Sequence, residues 1–127
     1  SRLRAACAPG ARMIAVIFEV WPAAGRMDEY LGLAAALKSE LSNIDGFISV
    51  ERFRSITEPD KIVSLSFWRD QEAVRAWRNL PAHRATQRKG RGGVFANYRL
   101  RVAAVERDYG MKERAEAPAD SRAVHGA

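Results

Sequence analysis

The sequence predicts an α+β fold of order βαββαβ, and three observations predict it. Four stretches, residues 14–21, 47–55, 61–68 and 94–105, are apolar or alternate with the period of a strand. Helical spacing fills the gap between the first and second stretch and the gap between the third and fourth. Each half therefore reads strand–helix–strand. Right-handed crossovers make of two such halves a ferredoxin-like antiparallel sheet with helices on one face.

The elements follow in order. Residues 14–21 are apolar almost throughout, interrupted by Glu19, and read as a strand buried on both faces. Pro22 and Gly25 end it. Asp28 and Glu29 favour a helix start, because acids stabilise its positive end. Met27, Tyr30, Leu31, Ala34, Leu37, Leu41 and Ile44 give that helix one packing face. Asp45-Gly46 is a turn signal. The second strand grows more polar towards Arg52 and Arg54, and Thr57-Glu58-Pro59-Asp60 has the chemistry of a hairpin loop. After the third strand, Asp70 is a good N-cap and Glu72 sits in the first turn. Val74 and Trp77 face inward, Trp77 as core. Pro81 interrupts and restarts the helix, and Gly90-Arg91-Gly92-Gly93 ends it.

Such a layer leaves one sheet face uncovered. The first strand is too apolar for that, with Ile14, Val16, Phe18 and Val20 on one side and Ala15, Ile17 and Trp21 on the other. An exposed apolar face predicts a partner, most simply a second copy in a two-fold homodimer, sheet against sheet.

One domain fills the 127 residues, long enough for a core without disulfides or metal. Residues 1–12 are small, basic and aperiodic and read as a disordered upstream segment. Residues 13–108 form the domain, and 109–127 read as a flexible tail. The single cysteine, Cys7, lies upstream, so no intrachain disulfide, cysteine metal site or thiol nucleophile is expected. No run reaches the ~18 apolar residues of a membrane span. A cytoplasmic protein with no membrane partner is expected.

The net charge is +6, and no acid occurs from residue 73 to 105, where Arg75, Arg78, Arg84, Arg88, Lys89, Arg91, Arg99 and Arg101 lie. This positive half can attract an anionic ligand. RNA-recognition modules share the βαββαβ order, but residues 61–68 lack their Lys/Arg-Gly-aromatic signature, so nucleic acid is not expected. No Gly-rich phosphate loop precedes a helix, and no His/Cys/carboxylate group has metal-ligand spacing.

His83 is the only histidine before the tail and the best candidate general base. Gln87, four residues on, shares its helix face and can hydrogen-bond a substrate. Arg52 and Arg54 share a strand face, as do Arg99 and Arg101; positive charge near a phenol favours phenolate. Arg54, Asn97 and Tyr98 are further substrate-binding candidates. Glu19 is expected either to pair with an arginine or to have its pKa raised by burial.

The apolar opening strand, Ile44-Asp45-Gly46-Phe47, Phe67-Trp68, and Trp77 followed by Pro81-Ala82-His83-Arg84 together resemble the antibiotic-biosynthesis-monooxygenase family of dimeric α+β barrels. The resemblance spans roughly residues 13–107. One branch of that family acts as cofactor-independent oxygenases on quinols or polycyclic phenols, with molecular oxygen as co-substrate. Another degrades haem, using an Asn in the first strand, a Trp ending the third and a His on the second helix. Trp68 matches the Trp; the Asn position falls on Phe18 and the His position on Gln87, with His83 one turn earlier. The resemblance thus implies a homodimeric monooxygenase needing no cofactor, acting on a small or polycyclic aromatic ligand. Trp68 would stack on it, His83 would take a proton and an arginine would hold the anion. A haem-binding, haem-degrading enzyme is one alternative, and a non-catalytic ligand-binding dimer is the other.

Overall fold

The computed structural model describes residues 12–125. The upstream segment up to residue 11, with Cys7, lies outside the described residues. Strand β1 (Ile14–Pro22) is the hub of the sheet. It pairs antiparallel with β3 (Ile62–Trp68) on one edge and with β4 (Phe95–Ala104) on the other. Strand β2 (Phe47–Arg54) adds to β3, giving the order β2-β3-β1-β4. This is the expected ferredoxin-like sheet. The apolar run of β1 suits its central place, where both edges are paired.

Register sorts the side chains. The pairs Ile14↔Trp68, Val16↔Ser66, Phe18↔Ser64 and Val20↔Ile62 share one face, which also receives Tyr98, Leu100 and Val102 of β4. The helices pack there. Helix α1 (Met27–Leu41) buries Tyr30, Ala34 and Leu41, and Arg26 at its entry holds Glu29 in its first turn at 2.8 Å. Helix α2 (Gln71–Arg78) starts where the Asp70 carboxylate accepts the Ala73 N–H at 3.0 Å. Pro81 opens helix α3 (Pro81–Lys89), so the second crossover is two helices broken by Pro81. A π-type turn, Gly90–Val94, returns the chain to β4, with Gly93 at φ +132°, a conformation that favours glycine. A Cβ at Gly90 would run into the Phe95 ring.

Two apolar clusters fill the ends of the layer. Ile14, Val16, Leu41, Trp68, Ala73 and Val74 form one, and Val20, Tyr30, Ala34, Ile62, Val94 and Phe95 the other. The opposite sheet face carries Ile17, Val63, Leu65 and Phe67, all only partly buried, beside Phe53, which is 45% exposed. Glu19 interrupts this face. Lys61 reaches it at 2.5 Å and Arg101 donates to it. The Lys61 hydrogen bond outweighs burial, which acts the other way, and with Arg101 holds the Glu19 carboxyl below its ordinary range, so the alternative of a raised pKa is overturned.

After β4 the Val105 N–H donates to the Met13 carbonyl at 2.9 Å. The stretch read as a flexible tail carries a short helix, α4 (Ala119–His125), and a buried Ala117. No helix among the described residues is long and apolar enough to cross a membrane.

Candidate active site

Between the sheet and the helices lies a cavity of about 500 Å³. Its floor is the helix-facing side of the strands: Val16 and Phe18, Val50 and Arg52, Ser64, Ser66 and Trp68, and Tyr98, Leu100 and Val102. Its roof comes from α1 through Tyr30, Ala34 and Leu37, from α2 through Val74 and Trp77, and from α3 through His83, Thr86 and Gln87. The strand period of two and the helix period of 3.6 bring these scattered positions together. Leu100 and Val102 are 48% and 45% exposed on this face, so the cavity opens along β4.

One wall is a column of rings. Trp68 is fully buried; its indole N–H donates to Ser66 Oγ at 2.9 Å, and Phe47 meets it edge-on. Trp77 stacks on it with ring centres 5.2 Å apart and planes 27° from parallel. His83 then packs on Trp77 at 4.3 Å. Trp68 is thus the base of the column, with Trp77 laid over it by α2. Trp77, expected in the core, is half-buried and lines the cavity, and its indole N–H is buried without a hydrogen-bond partner among the described residues. Arg52 Nε is in the same condition.

The electrostatics have one sign. Arg52, Arg78, Arg84, Arg88 and Arg91 line the cavity, and among the described residues no Asp or Glu does. Burial, with the charges of Arg84 and Arg78, holds His83 below its ordinary pKa. Its imidazole is therefore neutral at neutral pH and free to accept a proton. The field that resists protonation of His83 also favours an ionised hydroxyl on a ligand. Burial raises the Tyr30 phenol, while the Arg52 guanidinium beside it works the other way.

Of the residues expected at a site, Trp68, His83, Gln87 and Tyr98 line this one cavity, and Arg91 reaches the Tyr98 hydroxyl at 3.4 Å. Two do not. Arg54, at the end of β2, donates to the Pro59 carbonyl of the hairpin loop at 3.0 Å. Asn97 pairs with Trp21, which alternation puts on the opposite sheet face, and its side-chain oxygen accepts the Tyr98 N–H. Arg52 takes the place expected of Arg54. Tyr30, Trp77 and Arg91 join the lining from positions read as core or surface.

A haem ligand set does not fit. Gln87 offers only an amide where the haem-degrading pattern has imidazole. His83 is packed on Trp77, and Phe18, at the Asn position, packs against Phe95 and Tyr98 at 5.8 and 5.6 Å. Among the described residues no group of three or more His, Cys, Asp or Glu could hold a metal ion.

The sequence model of the family described as antibiotic biosynthesis monooxygenase matches residues 13–89. Jasmonate monooxygenase ABM of Pyricularia oryzae is 48% identical over 93 residues, which are 73% of this chain and 43% of that protein. The uncharacterized protein YqjZ of Bacillus subtilis is 36% identical over 63 residues, 49% of this chain and 53% of that one. The chain spans about half the length of these curated relatives. The solved structure of SnoaB, a cofactor-independent oxygenase from Streptomyces nogalater, has a TM-score of 0.68 at 13% identity, over 76% of this chain and 97% of that one. That likeness is one of fold.

Proposed function

The chain belongs to the antibiotic biosynthesis monooxygenase family, and from that premise we propose that it is a monooxygenase that needs no bound cofactor and acts on a small, largely apolar, quinol- or phenol-like molecule. The observation that carries this reading is the cavity itself, which among the described residues has apolar walls, five arginines, no carboxylate and a neutral imidazole. Such a site favours the anion of a substrate hydroxyl without a strong base, because its positive charges lower the hydroxyl's pKa.

His83 takes the proton. The electron-rich anion gives one electron to molecular oxygen, and the radical pair collapses into a carbon–oxygen bond. The resulting peroxide anion takes the proton back from His83, and the hydroperoxide loses water together with the hydrogen on its carbon, leaving a carbonyl. One oxygen atom enters the product and the other leaves as water, so no external reductant is consumed. Gln87 and Tyr98 supply hydrogen bonds, and the ring column gives an apolar, water-poor wall. The name of the Pyricularia relative points to jasmonate, an organic anion, and that compound belongs in the substrate panel beside quinols and polycyclic phenols.

The outer sheet face supports a two-fold dimer, since it carries Ile17, Val63, Leu65, Phe67 and Phe53, partly buried or exposed apolar side chains beside the Glu19 cluster. The test of function is oxygen uptake by the purified chain with each compound, without added cofactor. Saturable uptake with stoichiometric product carbonyl is expected. No uptake with any compound that binds the cavity would remove the oxygenase reading.

A further inference from the structure

We propose that Arg52, with Tyr30, is a carboxylate-binding subsite of the cavity, so that the ligand this chain takes is an apolar molecule ending in a carboxylate. The inference deepens the oxygenase reading and rests on it for taking the cavity as the substrate site.

Other arginines in the structure show what a guanidinium finds when an acid is near. Arg26 holds Glu29, Arg69 holds Asp45 and Asp70, and Arg101 holds Glu19. Arg54, two residues along the same strand face, has the Pro59 carbonyl. Arg52 Nε instead is buried with no partner among the described residues, in a cavity whose lining contains no carboxylate. A donor taken out of water and left unpaired is costly unless something arrives to accept from it.

The surroundings say what that acceptor is. The Tyr30 hydroxyl lies beside the guanidinium, and Ser64 stands opposite Arg52 in the strand register. A planar fork of N–H donors with hydroxyls at its side matches the two oxygens of a carboxylate. The remaining walls are mainly apolar, which suits a monoanion on a hydrocarbon frame. Ser64 is four residues before Trp68 on β3, about 13 Å along the strand. The subsite therefore lies towards the Tyr30 cluster, away from the Trp68–Trp77–His83 column. A ligand held there by its carboxylate would lay its other end under His83.

Binding of 6-hydroxy-2-naphthoate and of its primary carboxamide, followed by calorimetry on the full chain, tests this. The wild type is expected to bind the carboxylate at least about ten-fold more tightly. Arg52→Met should abolish the preference, weakening the carboxylate far more than the carboxamide, while Arg54→Met should keep the preference. Equal affinities in the wild type, a preference that survives Arg52→Met, or binding of neither compound would overturn the proposal. Should Arg52→Met fail to fold, Arg52→Lys and Tyr30→Phe answer instead. Each is expected to cut the preference, and an unchanged preference in both overturns it. Oxygen uptake is read separately over the whole substrate panel: a preference with no turnover of any compound that binds keeps the subsite and removes the oxygenase, and turnover without a preference does the reverse.

Discussion

His83 is the residue on which the proposed chemistry turns. His83→Ala is expected to lower kcat/KM by about 100-fold or more, as removal of a general base does, with ligand binding largely kept. The pH profile carries its own sign. Burial and two flanking arginines hold the imidazole below its ordinary 6.5, so the acid limb of kcat/KM should fall below pH 6.5. The same residue makes folding stability decline as pH drops below 6.5, because the unfolded chain takes up that proton more readily. Measuring kcat/KM and denaturation midpoints from pH 5 to 8 checks both. An acid limb above 6.5 would assign the proton transfer elsewhere. At this scale the sequence was legible where spacing alone decides, as with His83 and Gln87 one turn apart. Adjacent residues on a strand cannot both reach one cavity, so Asn97 and Tyr98 were never compatible. The choice between Arg52 and Arg54 depends on how far the helices cover β2, which no spacing reveals. Trp68 was readable as a large ring at a strand end, but not as a ring that Trp77 covers.

Elements were more legible than residues because their ends are marked chemically. Pro22, Asp70 and Pro81 punctuate the chain where the structure does. Asp70 shows why. Its carboxylate accepts the Ala73 N–H and receives Arg69 at 3.2 Å, and the backbone bond is the larger cause of its lowered pKa. Asp70→Ala should cost about 1 kcal/mol in chemical denaturation, the usual worth of an N-cap. Because the folded pKa is depressed, that contribution is present above the ordinary 3.8 and lost as pH falls through the lower folded value. The variant should therefore show a shallower acid loss of stability than the wild type. Asp70→Ala equal in stability to wild type would mean that α2 is fixed by packing alone. The turn before β2 is as demanding: Gly46 has φ +92°, and a Cβ there would lie 2.8 Å from that of Ala73. Less legible were the π-type turn at Gly90–Val94 and helix α4. The first reads as a plain glycine stop, and the second has too few apolar residues to show a period.

The whole molecule is a layer with one face unmet. The sequence shows this directly, since β1 is apolar on both sides and only one side can face helices. Leu65→Glu puts a charge in the middle of the outer face. Sedimentation should give a dimer for the wild type at micromolar concentration and a folded monomer for the variant. A wild-type monomer would retire the sheet-to-sheet pairing. The arginines at the cavity act at this scale too, since the proposed function implies a field that draws organic anions towards the opening beside Leu100 and Val102.

The central place of β1 has a consequence in time. Ile14 pairs with Trp68 on one side and with Ala104 on the other. Of these four strands, the first to be made must wait for the fourth before both its edges are closed. Until then its apolar side chains are open to mispairing and to chaperones. Folding should accordingly be slow beside that of a helical bundle of equal length, since the loops that must close are long. A nascent chain halted before β4 should remain protease-sensitive throughout β1.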